Sequence, residues 1–291
     1  MHRNNNLLTS KMYRYFAQVL DALIYLYPKY VQFNCESCTQ TPELQSNPKY
    51  SAFKNAVGAV DGVLVEAQVP AVKQPTWQCR KGYVAQNVLA AVNFRFEFIF
   101  VLAGWEGSAH DTRVYNNAYA KGLKLPDMNY LLADAGYALR HGLMTPYRGV
   151  RYHLKEQAIA SQRPSNAKEL YNLRHAHLCN IIKRIFGCMK KKYRILASTP
   201  EVELPKQVLL VYGLCMMWNY IRKHEGHNPM LDEPNVECHD GPSGPTNPSM
   251  PSISLRAGQE DTIMKHRRDR LAAKMWKQYS SYTLARSQHV N

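Results

Sequence analysis

Three Val-, Phe- and Ile-rich stretches, AVDGVLVEAQV, YVAQNVLAAV and RFEFIFVLAGW, follow one another between Ala52 and about Trp105 with turn residues between them. Such composition marks strands. Their close succession commits this part of the chain to a sheet before any helix can intervene. Helical patterns then alternate with one more strand. Ser108–Gly122 reads as a helix, Tyr130–Ala133 as a short buried strand, Asn166 to about Arg194 as one long helix, and Pro205 to about Arg222 as another. Strands first, then strand alternating with helix, imply an α/β fold with a mixed sheet flanked by helices.

The remaining segments fall outside that pattern. Lys11–Tyr30 has a helical face of Tyr15, Val19, Ala22, Leu23 and Leu26. Gly226–Ser254 holds six prolines and little that packs, so it reads as a linker. Beyond it, Asp261–Tyr279 reads as a short basic amphipathic helix with Arg267, Arg268 and Arg270. The expected division is a helical N-terminal segment over 1–50, a core domain over 51–222, a linker over 223–260 and a basic helix over 261–291.

Composition narrows the function classes. The chain of 291 residues carries 37 Lys+Arg against 22 Asp+Glu, a net charge of +15, which directs attention to a polyanionic partner. The first residues lack the apolar core of a signal peptide, and the longest apolar run, Val208–Trp218, is too short to span a bilayer. Seven cysteines at irregular spacing argue against a disulfide framework, and Cys35-x-x-Cys38 has no second ligand pair at finger spacing.

Three aspartates stand out. Asp61 lies in an apolar strand, Asp111 follows Gly107-Ser108-Ala109-His110, and Asp134 ends the strand Leu131-Leu132-Ala133. Each has a structural alternative: a turn at Asp61-Gly62, a capping box from Ser108 to Asp111, a strand end at Asp134. Carboxylates at the ends of neighbouring strands converge, repel one another, and suit a hard cation such as Mg²⁺ or Mn²⁺. Such ions activate water and stabilise the leaving oxygen in phosphodiester cleavage.

The segments AVDGVLVEAQVP, RKGYVAQNVLAAVNF, GWEGSAHDTRVYNNA, YLLADAGYALRHGLMTPYRG and ELYNLRHAHLCNIIKRIFGCMKKKYRIL, in this order, resemble the Harbinger transposase-derived nuclease family. This is a DDE-type transposase group with an RNase H-like core. The trailing RRDRLAAKMWKQY resembles the end of fungal-type members. The resemblance implies a nuclear, metal-dependent DNA endonuclease, with Asp61, Asp111 and Asp134 as catalytic, metal-binding acids and a Myb-like protein as recruiting partner. It also implies an N-terminal helix-turn-helix region, for which the roughly 50 residues before the core look too short.

Two departures matter. The family glutamate before Arg-x-Phe-Gly is Lys183 here, in Ile182-Lys183-Arg184-Ile185-Phe186-Gly187. An ammonium has no lone pair to offer a metal and repels it. Asn93 and Arg95 stand where an aspartate-containing pattern is common. Glu169 is the one acid at a spacing that suits a substitute ligand, but Asn166-x-x-Glu169 is also a capping box. The expectation is therefore an impaired nuclease; the alternative is a domesticated or decayed DNA-binding protein that does not cut. Arg163–Arg194 holds nine basic residues and one acidic, and Arg184, Lys190, Lys191 and Lys192 are its candidate DNA contacts. His175-x-His177 lacks the spacing of a same-face ligand pair.

Overall fold

The computed structural model describes residues 2–34, 36–150, 163–225 and 261–288. The proposed linker 223–260 therefore lies almost wholly outside the described residues, as does Cys35.

Five strands form one sheet: β1 (Ala56–Glu66), β2 (Ala85–Asn93), β3 (Phe98–Glu106), β4 (Tyr130–Leu132) and β5 (Leu143–Met144), in the order β3-β2-β1-β4-β5. β1–β2 and β2–β3 pair antiparallel, and β1–β4 and β4–β5 pair parallel. This is the mixed α/β, RNase H-like architecture expected. The long central strands are buried almost throughout, as their unbroken apolar composition requires. The helices are α1 (His2–Tyr30), α2 (Pro42–Ser46), α3 (Gln74–Trp77), α4 (Asp111–Ala120), α5 (Ala167–Cys179), α6 (Ile181–Lys192), α7 (Leu204–Glu225) and α8 (Thr262–Gln288).

Each sheet face has its own core. One gathers Val57, Val60, Leu89 and Leu131 under Val114, Tyr115 and Ala118 of α4. The other gathers Ala59, Val65, Ala90 and Leu132 under Ile182, Ile185 and Phe186 of α6 and Leu170 and Tyr171 of α5. The segment expected to be one helix is two, α5 and α6, joined at Asn180, which ends the first and begins the second. Asparagine's side chain competes for backbone hydrogen bonds and weakens helix interiors, and a break there lets each half dock separately.

α7 seals the outer edge of β3. The Asn219 side chain accepts from Phe98 N at 2.9 Å and donates to Phe98 O at 2.7 Å and Tyr30 O at 2.9 Å, joining strand edge, α7 and α1. An exposed strand edge invites pairing with other chains, and this helix removes the opportunity. α1 packs on α7 where Gly213 admits Leu20 and Leu23.

α8 is longer than the expected Asp261–Tyr279, and its apolar side is docked on the core. Asp261 Oδ1 caps it by accepting from Ile263 N and Met264 N, while Met264, Ala272 and Met275 are buried in the core. Arg268 is only 4% exposed: it donates to Pro146 O at 3.2 Å and lies 4.3 Å over the Tyr147 ring. The Tyr147 hydroxyl in turn donates to Asp269 at 2.6 Å. Arginine's delocalised charge makes this burial tolerable where a lysine's would not be.

Candidate active site

A cleft of about 1030 Å³ opens beside the C-terminal end of β1, and Asp61, Asp111 and Asp134 all line it. β1 places Asp61 in its interior, opposite Ala90 of β2, so the turn reading of Asp61-Gly62 does not hold. The parallel register that sets Ala59 beside Leu132 carries Asp134, two residues on, to the level of Asp61. Asp111 opens α4. The capping-box reading fails as well: His110 is the N-cap without a side-chain bond, and the Ser108 hydroxyl donates instead to Thr76 O at 2.7 Å.

The carboxylates crowd a space left by two glycines. A Cβ on Gly62 would come within 2.7 Å of Asp111 Oδ1, and one on Gly136 within 3.1 Å of Asp134 Oδ1 and 3.9 Å of Asp111 Oδ2. Backbone amides hold two of the acids: Gly62 N donates to Asp61 Oδ1 at 2.9 Å and Gly136 N to Asp134 Oδ1 at 2.8 Å.

Their electrostatics follow from this crowding. Burial, then the charge of Asp134, pushes the Asp61 carboxyl up to about 7; Lys183 opposes the rise and Asp111 adds to it. Asp111 is also raised by burial and by the charge of Asp134, against the hydrogen bond from Asn87 and the positive charge of Arg80. Tyr137 beneath the cluster is pushed well above its ordinary value by burial and then by all three aspartates, so its phenol stays neutral.

Lys183 of α6 is exposed and lines the same cleft as the acids. Lys190 and Lys191 also line it. Lys190 is partly committed to structure, donating from Nζ to Leu64 O at 3.2 Å and tying α6 to β1. Arg184 and Lys192 do not line the cleft; the Arg184 guanidinium lies 5.4 Å over the Phe96 ring, on the β2–β3 turn. Glu169 also stays away from the cleft: its amide donates to the side chain of the N-cap Asn166, and its carboxylate accepts from the amide of Ser165, the residue before that cap. Asn93 closes the β2–β3 turn, accepting from Arg95 N and Glu97 N, so that departure from the family pattern falls outside the cleft. His175 is buried and bonded to Met144 O at 3.0 Å, far from a ligand role.

Three contributors were missed by sequence reading. Asn87 of β2 donates to Ala109 O at 3.2 Å and Asp111 Oδ1 at 3.4 Å, fixing the start of α4 against the sheet. Arg80 and Lys81 line the cleft from the turn before β2. All three belong to the RKGYVAQN motif, in which Asn87 lay hidden in a strand pattern and Arg80 and Lys81 in an ordinary turn.

The cleft offers hard oxygen donors of the type Mg²⁺ or Mn²⁺ prefers. Asn87 Oδ1, buried and without a hydrogen-bond donor among the described residues, adds a neutral one. The arrangement nevertheless does not fit an ion as it stands. Among the described residues no three acidic, histidine or cysteine side chains are gathered closely enough to hold a metal. The ammonium of Lys183 adds a positive charge to the same cleft.

A mixed sheet in this order, with acids facing one cleft from β1, from the start of α4 after β3 and from just beyond β4, defines a nuclease-type domain of the RNase H-like class. The chain belongs to the DDE superfamily endonucleases, whose sequence profile matches residues 60–219. It is similar to "Protein ALP1-like" of Arabidopsis thaliana, 24% identical over 66% of this chain and 49% of that protein. It is also similar to "Putative nuclease HARBI1" of Xenopus laevis, 21% identical over 74% of this chain and 60% of that protein, and of Mus musculus, 22% identical over the same shares. The chain thus spans about half to three fifths of the length of these relatives. No solved structure matches it. The Harbinger-derived nuclease resemblance holds at the level of the family. Among the described residues no helix is long and apolar enough to cross a membrane.

Proposed function

We propose that this protein is a transposase-derived nuclease domain that engages DNA and whose metal-dependent cleavage is impaired by Lys183. The observation that carries the reading is the position of Lys183, which lines the cleft with the three aspartates and whose charge bears on Asp61. Family members of this kind use divalent metal ions. With Mg²⁺ or Mn²⁺, Asp61, Asp111 and Asp134 would be the holding residues, but a protonated lysine cannot ligate and repels a cation at short range. Lys183 acts instead as a tethered counter-charge, letting the aspartates remain close together.

The same reading brings with it a nuclear location, a Myb-like recruiting partner and DNA contacts through Lys190 and Lys191. A second reading, a DNA-binding protein that does not cut, is favoured by the cleft's charge: five lysines and arginines against three aspartates. Cleavage of supercoiled DNA with Mg²⁺ or Mn²⁺ separates the two. The natural protein should cut slowly, and Lys183→Glu should raise the rate by about tenfold or more. No cleavage by either form would select the second reading. Robust metal-dependent cleavage by the natural protein, unchanged in Lys183→Ala, would overturn the role of Lys183.

A further inference from the structure

The RKGYVAQN motif contains a tight turn that the proposed nuclease chemistry does not use. Gln78 and Val84 pair as an antiparallel bridge, Cys79 N donates to Tyr83 O at 2.9 Å, and Gly82 N donates to Cys79 O at 2.9 Å. Gly82 has φ of 85°, which favours glycine, so the tip closes in a form few other residues adopt without strain. Trp77 and Cys79 are buried at its base, while Arg80 and Lys81 stand exposed at its tip.

The turn is locked to the segment that carries Asp111. Ser108 donates to Thr76 O through both its hydroxyl, at 2.7 Å, and its amide, at 3.3 Å. Gly107 passes so close that a Cβ there would meet Trp77 O at 2.5 Å and Ala85 O at 2.6 Å. The positive charge of Arg80 reaches the Asp111 carboxylate. A rigid turn with two adjacent cations, aimed into a cleft whose other cations come from α6, is built to hold a chain of phosphates rather than one anion. Its volume of about 1030 Å³ is at the upper end for small-molecule pockets.

The geometry points to Arg80 and Lys81 as phosphate-positioning residues that, with Lys190 and Lys191, hold a DNA strand across the three aspartates. The assignment rests on the reading of this cleft as DNA-engaging. α6 and the turn meet the backbone from separate elements, so a bound strand has its path set by both. Contacts of this kind are electrostatic and independent of base sequence.

The test is the binding of a fluorescent DNA oligomer by the full chain, followed over a range of salt. Arg80→Glu/Lys81→Glu should weaken binding by about tenfold or more at roughly 50 mM salt, and reduce the slope of log affinity against log salt by about two. Lys121→Glu/Lys124→Glu, an equal charge change outside the cleft, should shift the slope much less. Thermal melting checks that both variants fold, and the slope is read only from folded protein. Equal losses in the two variants would show a response to net charge alone and overturn the assignment. Undiminished binding by the Arg80/Lys81 variant would overturn the turn's role while leaving DNA engagement intact. Absence of DNA binding by the natural protein would overturn both, and much tighter binding of RNA of the same sequence would overturn DNA as the occupant.

Discussion

Asp61 shows how one residue can be placed against the interest of stability. Its carboxyl is 7% exposed in an otherwise apolar strand, next to two like charges. A folded-state value near 7 against an ordinary 3.8 means that the native state holds a proton the unfolded state has released. Its contribution is therefore fully present below pH 3.8 and is lost as pH rises through 7. Asp61→Asn should remove this loss, stabilising the protein by about 2–4 kcal/mol at pH 8 and by little at pH 4. Denaturant unfolding at the two pH values checks it; equal effects at both would contradict the assignment. His175 has the opposite slope. Burial holds it at about 4 against 6.5, so the unfolded state binds its proton first and stability falls as pH drops from 6.5 towards 4. In His175→Gln that acid-side loss should disappear, whatever the variant's stability at pH 8. Asp61 was legible in the sequence as an acid among apolar residues. Lys183 was legible by its place in a motif. Asn87 and Arg80 were not, because a polar residue at a strand start and an arginine in a turn are ordinary features until the fold puts Asp111 beside them.

At the scale of elements, α6 combines anchoring and function. Ile182, Ile185, Phe186 and Met189 lock it to the sheet, while Lys183, Lys190 and Lys191 project from the same helix into the cleft. The apolar stripe and the basic face were both readable from spacing, since the helical period alone separates them. The break at Asn180 was not, because a helical pattern continues across it and only the separate docking of α5 and α6 reveals two helices. α8 shows the limit more plainly. It read as a short basic amphipathic helix with nothing to say what its apolar side covers, yet it buries Arg268 and closes over the core through Met264, Ala272 and Met275. Met275→Ala should therefore cost about 2–4 kcal/mol, as for a core methionine, rather than the few tenths expected of a loosely attached helix. Chemical denaturation would measure it, and a near-neutral result would mean that α8 contributes little to the folded state.

For the molecule as a whole, the net charge of +15 has no single address. Arg184, Arg222 and Arg268 are spent on aromatic faces and backbone carbonyls. Arg80, Lys81, Lys183, Lys190 and Lys191 gather around the three acids. The sequence by itself determined most of the succession of strands and helices, the RNase H-like class, and the motifs in which Asp61, Asp111, Asp134 and Lys183 stand. Each of these depends on local periodicity or on ordered motifs, which need no knowledge of distant contacts. Only the tertiary structure decided which cations share the cleft and which are consumed in packing, that Glu169 caps a helix away from the aspartates, and that the terminal helix belongs to the core. Those outcomes depend on strand register and helix docking. Both bring together residues far apart in the chain, and no spacing along the chain records such distances.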